Sequence, residues 1–467
     1  MRMVQIDEHH PEPGTLVEFR VTARFAAREH AVPPSVFQRS HWALADLNRA
    51  AGVRQSPWVA LAFDLPGRVD TEALAAAWQD VVFRHEALRG WYEPAPGLDG
   101  HRGWMHTPDA IRVSAEPRGG FTDPADLRER LHTAFREETD PYRWPGLWAA
   151  VVVRDSVSTC YFAIDHGYSD GHSLAVLFEE LTALYRQHLG GPGARPRATH
   201  GMLRANQDEA RRLAELSPAS LRDPLWAPWR DFFRGGESLP GFPADLGNPE
   251  GRLLPGVRRE YELLDGPGAL EFRDYCRAHG GGFAAGLFAA LALEQRAVTG
   301  QSLYRVLTSV STRTGPRWLA TQGWLINLVP VVFDVSRCVG LGEAVPLAQR
   351  AFQRARRLLD YPVHRAVELL AEEGAVAEGQ MRIPPMVSYL DGRSTPGSEE
   401  YASSRVTLFT GPDNASGVSL WANWFRDRAD VVASMPDTPR AADSVPAHLQ
   451  AVRERMRFAL AGPRPVR

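Results

Sequence analysis

Two mainly apolar runs, residues 147–153 and 157–164, stand on either side of a short polar turn at 154–156. Their length and their β-branched and aromatic content predict strands, and the short turn makes them a buried hairpin. From His172 the period changes, with Leu174, Leu177, Phe178, Leu181, Leu184 and Tyr185 recurring three or four positions apart. That spacing predicts an amphipathic helix. An earlier helix, capped by Asp70 or Thr71, carries Leu74, Trp78, Val81, Val82, His85 and Leu88 on one face. Residues 165–171 fit neither pattern and therefore occupy a strand-to-helix turn.

Residues 190–196, Gly-Gly-Pro-Gly-Ala-Arg-Pro, form the best linker candidate and place a lobe boundary near residue 195. Beyond it the pattern predicts a Trp-rich helix at 225–233, an apolar helix after Gly280–Gly282 and a strand at 303–311. A further apolar segment spans 323–333. Helical patterns at 344–359 and 365–373 alternate with strand-like pieces at 385–390, 418–424 and 430–435. Both halves mix α and β, so the expected fold class is α/β (mixed α+β), with lobes at 1–195 and 196–467. A chain of 467 residues exceeds what one core usually organises, which also favours two lobes of roughly 200 residues each.

Composition narrows the function classes. Hydrophobic content of 44% and charged content of 23% describe a soluble globular chain with a sizeable core. A net charge of −3 gives no footprint for nucleic acid or an anionic membrane. All 53 basic residues are arginine, which fits a GC-rich coding sequence better than an arginine-specific surface. Cys160, Cys276 and Cys338 are too few and too scattered for a disulfide framework or a cysteine-rich metal site, as expected of a cytoplasmic protein. Residues 1–14 lack the apolar core of a secretory signal, and the stretch 283–293 is too short to span a bilayer. The histidines show no metal-ligand spacing.

Candidate chemistry concentrates in Asp165-His166-Gly167-Tyr168-Ser169-Asp170-Gly171. A strand end holds a residue rigidly, a helix N-terminus offers unpaired amides, and histidine moves protons near neutral pH. His166 is thus the candidate general base. Asp170 can cap the helix or pair with an arginine, and Gly171 permits close backbone approach and can lend an amide to a developing oxyanion.

The heptad resembles the His-His-x-x-x-Asp-Gly motif of nonribosomal peptide condensation domains and polyketide-associated acyltransferases. Other segments resemble that superfamily in the same order. Ser35 and Gln38 are similar to its Ser-x-x-Gln motif, and Arg84-His85-Glu86-Ala87-Leu88-Arg89 to its Arg-His-Glu-x-Leu-Arg motif. Arg313 and the segment from Gly323 to Pro330, with Trp324 and Asn327, resemble its later elements; residues 388–391 and 419–423 lean toward the acyltransferase branch. Two departures stand out: Asp165 replaces the first histidine, and Val331 and Val332 stand where an arginine commonly follows. Asp165 can substitute structurally by accepting amide hydrogen bonds from a neighbouring loop.

The resemblance implies two chloramphenicol acetyltransferase-like lobes in a V with a tunnel between them. It implies an acyltransferase that moves an acyl group from a phosphopantetheine thioester, on coenzyme A or a carrier protein acting in trans, to an alcohol or amine. His166, Asp170 and Gly171 would be catalytic; Asp165, Ser169, Trp324 and Asn327 would line the tunnel; Arg84 and Arg313 would be structural. No metal or tightly bound cofactor is implied, and a monomer working in natural-product or lipid biosynthesis is expected. For residues 84–89, helix-end packing and ion pairing outweigh substrate contact. Two alternatives remain. Gly167-Tyr168-Ser169-Asp170-Gly171 also fits the nucleophile turn of serine hydrolases, with Asp391 and His448 as triad partners. A non-catalytic recruitment module is the other.

Overall fold

The computed structural model describes residues 1–461 except 53–56, 96–99, 194–198, 218, 219, 221, 234–238, 250, 375 and 377–383. The chain divides into two compact units. The first takes Met1–Arg211 with two later segments, Arg313–Leu325 and Ser394–Asp413; the second takes Arg212–Thr312, Ile326–Arg393 and Asn414–Arg467. The lobe boundary expected near residue 195 falls on 194–198, outside the described residues.

In the first unit the expected hairpin forms as Leu147–Val153 and Val157–Asp165. Among the described residues it lies inside a seven-stranded sheet. The order is Arg2–Gln5, Thr407–Thr410, Trp58–Pro66, Val157–Asp165, Leu147–Val153, Thr15–Ala23 and Ile111–Gly120. Only the first pairing in that order is parallel.

The hairpin strands are mainly apolar because helices cover both faces. Trp58, Ala60, Trp148, Ala150, Tyr161 and Ala163 alternate onto one face and pack with Leu127, Leu131 and Phe135 of the helix Pro124–Glu137. On the other face Phe162 stacks on Trp78 of the helix Thr71–Arg84, with centroids 5.4 Å apart. Phe63 meets Phe178 of the helix Gly171–His188 at 5.1 Å. Rings of this kind bury roughly 150–250 Å² each and dominate the energy of such a layer.

Asp70 caps the helix Thr71–Arg84 by accepting from the amides of Glu72 and Ala73 at 2.9 and 3.0 Å. The helix is shorter than its apolar pattern predicts. His85 leaves helical geometry and its ring meets Glu180 at 2.6 Å, so Glu86–Leu88 continues only as a single tight turn. A buried charged partner has overridden local periodicity.

In the second unit Leu303–Ser311 pairs antiparallel with Ile326–Asp334. A further sheet runs Val387–Asp391, Ser419–Trp424, Arg428–Pro436, Leu254–Asp265, Asn414–Ala415 among the described residues. The expected helices appear as Ala227–Phe233, Phe283–Thr299, Leu341–Arg356 and Val363–Glu372. Of the apolar segment 323–333, only Ile326 onward is strand. Gly323 adopts a φ of 148°, and the Leu325 amide is held elsewhere, by Asp170 at 3.0 Å. Among the described residues no helix is long and apolar enough to cross a membrane.

Candidate active site

The heptad lies at the expected turn. Val157–Asp165 ends at Asp165, His166–Tyr168 makes one turn of 3₁₀ helix, and Asp170 caps the helix Gly171–His188. The His166 backbone amide donates to the Pro57 carbonyl at 2.7 Å, which fixes the strand end. Its ring Nδ1 lies 2.9 Å from the Ser169 carbonyl oxygen. A carbonyl can only accept, so Nδ1 carries the proton and the lone pair of the neutral ring sits on Nε2. Trp324 covers one face of the half-buried imidazole, with centroids 4.0 Å apart and planes tilted by 30°. Burial first, and the nearby His41 second, lower the His166 pKa below 6.5. The ring is therefore neutral at physiological pH and presents a basic nitrogen.

Asp165 is fully buried and its carboxylate is spent on the protein. Oδ1 accepts from the Gly167 amide at 2.8 Å and from the Trp42 indole at 2.9 Å, and Oδ2 lies 3.4 Å from His41 Nε2. Position 167 must be glycine, since a Cβ there would sit 2.7 Å from Trp42 Nε1 and 2.8 Å from Asp165 Oδ1. The Gly167 carbonyl in turn accepts from Gln38 Nε2 at 2.9 Å. Asp165 thus shapes the turn that carries His166.

Asp170 likewise acts on the scaffold. Arg313 reaches both of its oxygens at 2.8 and 3.0 Å, Ser173 donates an amide at 2.8 Å and Leu325 another at 3.0 Å. Burial alone would raise the Asp170 pKa, but the Arg313 charge and these hydrogen bonds hold it down to about 2. Arg313 also donates to the carbonyls of Thr321 and Gly323 at 3.1 Å, which ties the segment bearing Trp324 to the helix N-terminus. Gly171 is exposed, and a Cβ there would meet only Leu408, at 4.0 Å.

The other expected site residues have definite surroundings. Asp165 and Ser169, expected to line a tunnel, are 0% and 1% exposed. Asp170, expected to be catalytic, has its carboxylate fully engaged by Arg313 and two amides. Asn327 in the second unit has its amide spent on backbone, donating to Leu358, Leu359 and Tyr361 and accepting from Leu328 and Val363. It staples a loop and keeps no capacity for a ligand. Arg84 pairs with Glu180 at 3.3 Å, a helix-to-helix contact.

A serine nucleophile is poorly supported. The strand before the turn has antiparallel neighbours on both sides, whereas the hydrolase nucleophile turn follows a strand of a parallel sheet. Among the described residues Ser169 Oγ is buried with no hydrogen-bond partner, and Ser169 meets His166 through its backbone amide and carbonyl. Asp391 is paired with Arg393 at 2.6 Å, and His448 is buried against Phe242 at 4.8 Å.

His41 and Trp42 escaped the sequence reading, although both contact the heptad. They lie on the helix Val36–Ala50, which Ser35 and Gln38 open as a reciprocal capping box. The signal was present as Ser-x-x-Gln before an apolar periodicity.

Residues 28–404 match the family model described as "Condensation domain". Trehalose-2-sulfate acyltransferase PapA2 of Mycobacterium tuberculosis is 27% identical over 459 residues, covering 95% of this chain and 94% of its own length. A solved structure titled "PapA2 acyl transferase" superposes with a TM-score of 0.85 at 24% identity, covering 99% of this chain and all of that one. The condensation domain of the Monacolin K polyketide synthase MokA gives 0.71 at 17% identity, covering 94% and 99%.

Proposed function

This chain belongs to the condensation-domain family and is an acyltransferase with a chloramphenicol acetyltransferase-like fold, and from that premise we propose how it works. The donor is a phosphopantetheine thioester on coenzyme A or a carrier protein. The acceptor is a hydroxyl, an assignment that rests on the likeness to a relative named for acylating a sulfated trehalose. A biosynthetic role in modified sugars or lipids follows from the same likeness.

The observation that carries this reading is the Nδ1 contact of His166 with the Ser169 carbonyl, which leaves Nε2 as the proton acceptor. Nε2 takes the hydroxyl proton as the oxygen attacks the thioester carbonyl carbon. The tetrahedral intermediate then collapses, the C–S bond breaks, and the imidazolium returns its proton to the departing thiolate. The ring ends neutral. Neither a metal nor a covalent acyl-enzyme is required by the balance of this scheme. Holding donor and acceptor in line supplies much of the acceleration, and the amide of Gly171 at the helix N-terminus is the candidate oxyanion donor.

The test is thiol release from a panel of acyl-CoA donors with trehalose and simple alcohols as acceptors. His166→Ala should lose turnover by at least 100-fold, in the range of a lost general base. Ser169→Ala keeps the carbonyl that anchors His166 and should retain activity. Labelling of Ser169 by a fluorophosphonate probe, or turnover by His166→Ala, would overturn the proposal.

A further inference from the structure

Beyond the base itself, the residue standing in place of the family's first histidine is paired with another histidine supplied from a distant element. His41 Nε2 lies 3.1 Å from the Pro57 carbonyl and 3.4 Å from Asp165 Oδ2. Both acceptors call for a proton on Nε2, and the carboxylate favours a second proton on the ring. The ring is only 8% exposed and sits 6.0 Å from the His166 ring centroid, with Trp324 edge-on to it at 5.3 Å.

We infer that His41, paired with Asp165, is a positioning residue for His166 whose positive charge keeps that imidazole neutral and available as a base. The inference rests on the reading of His166 as the base. Among the described residues the charged groups acting on His166 are His41, Asp170 and Asp165, and Asp170 is compensated by Arg313. Asp165 faces His41 directly and, through Gly167, holds the turn on which His166 rides. Burial opposes charge on His41, yet the Asp165 charge, its hydrogen bond and the Pro57 carbonyl raise its pKa overall. Burial and then His41 lower that of His166. The two histidines are thereby driven apart in proton affinity, as pairs of titrating groups are when environment separates their roles.

Reactivity toward diethyl pyrocarbonate reads the neutral fraction of His166 without a substrate. Site-resolved mass spectrometry of the full chain should show modification of His166 inflecting below pH 6.5. Replacing the cation by His41→Gln should move that inflection up by about one pH unit, between the roughly half a unit of bulk water and the roughly two units of an effective dielectric of 20 for charges about 6 Å apart. A purely structural His41 would change extent without moving the inflection, and an unmoved inflection overturns the inference. Since His41→Gln can perturb folding, the unsubstituted protein supplies a second readout. In ¹⁵N-histidine NMR, His41 should lose its proton at higher pH than His166, and the reverse order overturns the inference. Turnover of any donor in the acyl-CoA panel by His166→Ala would instead remove the base reading, and the role of His41 with it, even if the inflection moves.

Discussion

Asp170 and Arg313, 143 positions apart, meet through two hydrogen bonds of 2.8 and 3.0 Å, with the arginine side chain 1% exposed. The pair locks the N-terminus of the helix behind His166 to the segment that supplies Trp324. Bidentate geometry and the two added amides are what allow such a charge to be buried at all.

Removing one partner leaves the other charge buried. Arg313→Ala should cost about 3–5 kcal/mol, seen as a lower urea midpoint. The pH dependence carries a definite sign. Asp170 has a folded-state pKa of about 2 against an ordinary 3.8, so its contribution is present above 3.8 and lost as pH falls toward 2. Urea titrations between pH 5 and pH 2 should show that portion of the acid sensitivity in the parent protein and its absence in Arg313→Ala.

Gly167 and Gly171 should separate cleanly. Gly167→Ala forces a methyl into the Trp42–Asp165 hydrogen bond and should lower both stability and turnover, the latter by roughly 10–100-fold through misplacement of His166. Gly171→Ala has room and a helical position, so stability should hold or rise by about 0.4–1 kcal/mol. Loss of kcat in Gly171→Ala without loss of melting temperature would then report the approach of substrate to that backbone.

Trp324 keeps water off one face of His166. Trp324→Ala should let the imidazole hydrate and move the acid limb of kcat/KM upward toward 6.5, because burial is the largest cause of the lowered pKa. Trp324→Phe should move it less. A limb that stays in place in Trp324→Ala would count against this account of the ring.

Asn327→Ala unmakes a staple in the second unit. Three carbonyls and two amides lose their partner in a buried site, and destabilisation of roughly 3 kcal/mol is expected from denaturant melts. Asn327→Asp should fare little better, since a carboxylate cannot donate to carbonyls.

What the sequence determined by itself was local or periodic. The hairpin 147–164, the helix after Asp170 and the apolar helix from Phe283 were legible because side-chain period and capping residues act over a few positions. The place of the candidate chemistry was legible too, since a histidine at a strand-to-helix turn is a property of contiguous residues. The roles within it were not. Asp165 finds Trp42 and His41 at separations of 123 and 124 positions, and Asp170 finds Arg313 at 143. No periodicity encodes such meetings, because they depend on which faces the sheet and helices bury. Only the tertiary structure decided that Asp165, Ser169 and Asp170 turn inward and serve the scaffold, leaving His166 Nε2 as the heptad's basic nitrogen.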